Sequence, residues 1–125
     1  MKLVKLAGFN RIFAVDTFQK EYKKLFGKSK AQYIEYYEKL KTNLDILDTL
    51  YTDALEMQQF EPLVNEDGLY SIRHVSQVNP RVVFTMITDG GQVVLLSCAK
   101  EKSTSDYTKA KQKARQLRKE ILSEL

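Results

Sequence analysis

Residues 81–100, RVVFTMITDGGQVVLLSCAK, decide how this chain folds. Arg81 to Thr88 is rich in β-branched and aromatic residues, and Asp89-Gly90-Gly91 is a strong hairpin signal. Val93 to Ala99 is apolar on both alternating faces, so it belongs inside a sheet rather than at its edge. Upstream, the turn at Asp67-Gly68 launches a further strand, Leu69 to Ser76. Downstream, from about Ser105, the residues Tyr107, Ala110, Ala114, Leu117 and Ile121 recur at helical steps with basic residues between them.

The N-terminal half adds one strand and two helices. FNRIFAV (9–15) alternates and is β-prone. Asp16, with Gln19 three residues on, reads as a helix N-cap ahead of Phe18, Tyr22, Leu25 and Phe26, and Gly27 as the stop. Ser29 with Gln32 reads as a second cap. Tyr33, Tyr37, Leu40, Leu44 and Leu47 then predict a helix of about five turns. Few residues separate the two helices, so they form a hairpin. Residues 49–63 are weakly patterned, with a short helical turn expected through Ala54 to Gln59 before Pro62. The resulting order, β-α-α-β-β-β-α, is an α+β fold over one domain, 1–125. It predicts a small twisted antiparallel sheet with the N-terminal helix hairpin packed on one face, and a C-terminal helix.

Composition narrows the function. No apolar run approaches the ~20 residues of a membrane helix, and the N-terminus MKLVKLAGFN lacks a secretory signal pattern. Cys98 is the only cysteine and His74 the only histidine. An internal disulfide is therefore excluded, and a cysteine/histidine zinc site lacks its ligands. The expectation is a cytoplasmic protein with no cofactor. The formal net charge is +4, and residues 100–125 hold 8 Lys/Arg against 4 Asp/Glu, while the preceding 99 residues balance at 12 and 12. Such a tail attracts polyanions or is simply a solvated helix face.

Strand alternation sets Ser71, Arg73 and Val75 on one face, and Arg81, Val83 and Thr85 together on one face of the next strand. A guanidinium buried without a partner is costly, so Arg73 and Arg81 are expected on the face the helices leave open or lightly covered. Lys100 and Lys102 follow at the end of the neighbouring strand, Tyr107 opens the last helix, and Glu61 precedes the set. Singly, each has an ordinary explanation: a solvated arginine, a core tyrosine, a loop acid. Their convergence at one end of the sheet is what points to a site.

The ordered set EPLVNEDGLYSIR, RVVFTMITDGGQVVLLSCAKEKSTSDY and a basic helix, over residues 61 to about 121, resembles the RelE/ParE superfamily of bacterial toxins. Its nearest likeness is to the RelE, HigB and YoeB branches and related phage-type toxins. This chain is longer ahead of the EPL element, Ser71 stands where a RelE-type lysine is expected, and Glu101 stands at an arginine position. The resemblance implies a type II toxin: a ribosome-dependent endonuclease of messenger RNA, working without a metal. The ribose 2′-OH attacks the adjacent phosphate and expels the 5′-oxygen. It implies Glu61 as base, Arg73 and Arg81 as phosphate ligands, and Tyr107 as a stacking or leaving-group residue. Lys100, Lys102, Lys109 and Lys113 would bind RNA. The implied partners are the ribosome, messenger RNA and a cognate antitoxin of helix-turn-helix type. The alternatives are a ParE-like gyrase poison, an inactive RNA- or protein-binding member of the superfamily, and a plain binding domain that uses the last helix.

Overall fold

The structure, a computed structural model, describes residues 2–73, 79–100 and 104–125. Six strands run β1 (Leu3–Lys5), β2 (Ile12–Val15), β3 (Phe60–Pro62), β4 (Tyr70–Arg73), β5 (Pro80–Ile87) and β6 (Gln92–Lys100). The helices are α1 (Phe18–Lys24), α2 (Lys30–Leu50) and α3 (Thr104–Ser123), with a 3-10 helix at Tyr51–Glu56. All the strands form one sheet in the order β1-β2-β6-β5-β4-β3. The α+β class and the predicted succession of long elements hold. The strands β1 and β3 are additions, each too short for an alternation pattern to register.

β3 to β6 form an antiparallel meander, as the turns at Gly68 and Gly90-Gly91 require. The sheet is not wholly antiparallel, because β2 pairs parallel with β6, Ile12 facing Val93 and Ala14 facing Leu95. The reason lies in β6 itself. Val93, Val94, Leu95 and Leu96 are all fully buried, so β6 needs a neighbour on each side. A parallel neighbour needs a long crossover, and the chain from the helix hairpin through β5 supplies it. A register shift between Val83 and Phe84 marks a bulge in the β5–β6 ladder.

Ser29 caps α2, its Oγ accepting from Gln32 N at 3.3 Å. Asp16 does not cap α1; Thr17 holds that position and makes no side-chain cap bond. The α2 face turned inward is Tyr36, Leu40, Leu44 and Leu47, so Tyr36 is buried where Tyr33 and Tyr37 had been expected. Those two tyrosines instead join Tyr22 and Phe26 in an aromatic stack between the helices, with Tyr33 and Tyr37 stacked at 5.6 Å. Tyr22 Oη donates to Tyr36 O at 3.2 Å, and burial pushes the Tyr22 hydroxyl well above its ordinary pKa. At the far end of α2, Asp48 accepts from the backbone N–H groups of Asn10 and Arg11, which ties the β1–β2 turn to the helix.

Both faces of the sheet are covered. The hairpin lies over the face that carries Ile72 and Val82, which line one small hollow together with Tyr36 and Leu40. α3 lies over the opposite face, where Ser97 Oγ donates to Ala110 O at 2.7 Å and Arg118 Nε donates to Thr85 Oγ1 at 3.2 Å. The second face, expected to be open or lightly covered, is therefore not open over β5 and β6. α3 packs over β5 and β6 and leaves Glu61 and Arg73, at the β3–β4 end, partly exposed. No described helix is long and apolar enough to cross a membrane.

Candidate active site

Register brings the charged residues together. Arg73 and Arg81 are direct cross-strand partners in the β4–β5 ladder, and Glu61 faces Ser71 in the β3–β4 ladder. All of these belong to the face that α3 only partly covers. Glu61 is therefore an edge-strand residue and not a loop acid. Like charges directly opposite one another destabilise a sheet. Here one carboxylate answers both: Glu61 Oε1 lies 3.6 Å from Arg73 Nη1, and Glu61 Oε2 lies 3.8 Å from Arg81 Nη1. These are ion-pair contacts longer than a charge-assisted hydrogen bond.

Tyr107 closes the cluster from α3. Arg81 Nη1 donates to its Oη at 3.2 Å, and the guanidinium carbon is 5.0 Å from the ring centroid. Lys111 sits on the same ring, its Nζ 4.8 Å from the centroid. Lys111 follows Tyr107 by four residues and so shares its helix face, a spacing visible in the sequence. Arg73 and Arg81 thus share one carboxylate, while Lys111 stands on the Tyr107 ring that Arg81 also contacts. Such a cluster can hold a phosphate and meet charge that develops on it, with a tyrosine hydroxyl and a carboxylate available for proton transfer.

Burial divides the cluster. The Arg81 side chain is only 12% exposed, against 39% for Arg73 and 38% for Glu61. Arg81 is therefore also a packing element, which its expected place on an open face did not suggest. Ser71 is fully buried between Glu61 and Val83, and its Oγ has no hydrogen-bond partner among the described residues. Beside Glu61 and Arg73 the surface opens into a hollow of about 480 Å³ that Gln58 and Gln59 also line.

The other candidate cations are dispersed. Lys109 is exposed on α3. Lys113, on the same side of α3, is ion-paired with Glu21 of α1 and serves helix packing. Lys100 stands one position beyond Ala99, the partner of Arg81, so alternation turns it to the opposite face, beside Lys24 and Asp106. Lys102 and Glu101 lie outside the described residues, as does His74. Among the described residues no group of three or more His, Cys, Asp or Glu is placed to hold a metal ion.

No family model matches the chain, and no curated protein matches it. A solved structure does. The fold is similar to that of a double arginine-to-alanine mutant of the E. coli toxin RelE in the free state, with a TM-score of 0.55 and 19% sequence identity. The match covers 80% of this chain and 92% of that one. The architecture is RelE-like.

Proposed function

We propose that this protein is the toxin of a type II toxin–antitoxin pair and cleaves messenger RNA on the ribosome. One observation carries the reading: Arg73 and Arg81, placed directly opposite each other, share Glu61, Arg81 hydrogen-bonds Tyr107, and Glu61 and Arg73 line an open hollow. The RelE-like fold supports it. In the proposed reaction a ribose 2′-oxygen attacks the adjacent phosphorus and the bond to the 5′-oxygen breaks, leaving a 2′,3′-cyclic phosphate. Glu61 takes the proton from the 2′-OH. The planar guanidinium groups of Arg73 and Arg81 bind the phosphate oxygens as negative charge accumulates. Tyr107 stacks on a base or protonates the leaving oxygen. Lys111 adds to the field, and exposed Lys100 and Lys109 attract the RNA backbone from farther away.

The cognate antitoxin would silence the toxin by covering the basic face with acidic or apolar surface. The test is cleavage of a defined message in a translating extract, by wild type and by Glu61→Gln. Wild type should cut, and the variant should lose about a hundred- to a thousandfold in rate. Cutting should persist in enough EDTA to chelate free metal while the ribosomes stay assembled. An intact message in every wild-type reaction would sink the nuclease reading and leave a gyrase poison or a binding protein in its place.

A further inference from the structure

The hollow beside Glu61 does not end at the sheet edge. A second hollow of about 310 Å³ adjoins it, and the two share Gln59 and Arg73. Together they lead from Glu61, past the end of β4, onto α2, where Lys39, Thr42 and Asn43 line the far side. Both sizes fall in the range of about 300–1,000 Å³ typical of small-ligand sites. Their chemistry differs from that of the arginine cluster. Among the described residues no apolar side chain lines either hollow, and Gln58, Gln59 and Asn43 bring three carboxamides to them.

Two of those carboxamides are fixed. Gln59 Nε2 donates to Asn43 Oδ1 at 3.2 Å. This contact orients both side chains and leaves Gln59 Oε1 as an acceptor and Asn43 Nδ2 as a donor for a third group. The backbone links the pair to the phosphate-binding cluster, since Arg73 N donates to Gln59 O at 2.8 Å. Lys39 is engaged elsewhere, 3.6 Å from Glu35 and 5.0 Å from the Tyr36 ring centre. A phosphate only accepts hydrogen bonds, so a donor–acceptor pair of neutral amides suits it poorly. A nucleobase edge carries donors and acceptors side by side, and amides read such edges two bonds at a time. In single-stranded RNA those edges are free to be splayed out and read.

We infer that Gln59 and Asn43 form the base-reading subsite of this site. It would take a nucleobase next to the phosphate held by Arg73 and Arg81, and so set where the message is cut. The inference rests on the RNA-cleavage reading above but can be tested without cleavage. Hexanucleotides of adenine, cytosine or uracil with 2′-fluoro riboses lack the attacking hydroxyl and cannot be cut by this route. Titrated into isotope-labelled full-length protein, the three should bind with affinities spread by about five- to a hundredfold. The side-chain amide resonances of Gln59 and Asn43 should shift.

Gln59→Ala and Asn43→Ala should each collapse that spread to within about twofold while retaining the weakest oligonucleotide's affinity. Gln59→Glu, which keeps the shape, replaces either variant should it fail to fold. Inorganic phosphate should move resonances around Arg73 and Arg81 and leave the two amides in place. Equal wild-type affinities, no binding, an unchanged spread in the variants, or amide shifts as large with phosphate would each overturn the inference. A base preference that depends on Gln59, in a protein that leaves message uncut, would keep the subsite and reject the nuclease.

Discussion

Arg81 is held on three sides: across the strand pair by Arg73, at its head group by Glu61, and from α3 by Tyr107. Substitutions there should separate charge from geometry. Arg81→Lys keeps the cation but loses the planar fork, while Arg81→Ala loses both and vacates a largely buried site. In the message-cleavage assay both should fall by about a hundred- to a thousandfold, and Arg81→Ala should also lower the melting temperature, with Arg81→Lys closer to wild type. A lysine variant of full activity would mean that the guanidinium geometry is irrelevant.

Cys98 poses a different residue-scale question. Burial, with Glu21 nearby, raises its thiol to about 12. At pH 8 roughly one thiol in ten thousand is then ionised. Because the raised value disfavours the thiolate, alkylation by iodoacetamide should be slow in the native protein. Its rate should still rise about tenfold per pH unit through pH 10, where an ordinary thiol of pKa about 8.5 would already have levelled off. A plateau near pH 9 would show that the thiol is solvated.

At the scale of the element, α3 decides whether a site exists, because it carries Tyr107 and Lys111 to the sheet. Its docking rests on Ser97 to Ala110 O, on Arg118 to Thr85, on the Arg115–Glu66 pair and on the Lys113–Glu21 pair. The Arg115 guanidinium beside Glu66 holds that carboxyl below its usual range. Gly68 is the tight point. It has φ +73°, and a Cβ there would sit 2.5 Å from Arg118 Nη2. Gly68→Ala should therefore destabilise the protein by about 1–3 kcal/mol, from backbone strain together with displacement of Arg118. Chemical denaturation measures this. If the variant proved as stable as wild type, Arg118 would not be packed against that turn.

Over the whole molecule the net charge of +4 is less informative than where the cations end up. Lys113 and Lys111 are equal in sequence, yet one is spent on Glu21 and the other stands on Tyr107. Lys111→Ala should therefore weaken single-stranded RNA binding uniformly across sequences and reduce the slope of log affinity against log salt by about 0.7. Lys113→Ala should leave that slope unchanged and lower stability instead. Equal slopes for both variants would refute the division.

Much of this architecture follows from local chemistry. The two-sided apolar run of β6, the Gly90-Gly91 turn, the Ser29 cap and the helical spacing of α2 and α3 all act over a few residues, so the chain reveals them directly. Alternation and a short connection made the pairing of Arg73 with Arg81 legible in the same way, whereas Glu61 and Tyr107 were joined to them by the family resemblance. Tertiary structure alone decided the rest. The three-residue strands β1 and β3 exist only because a neighbour completes their hydrogen bonds. The parallel β2–β6 pairing depends on a crossover spanning most of the chain. The meeting of Gln59 with Asn43, and the assignment of Lys113 to Glu21, join residues on elements whose docking no local pattern encodes.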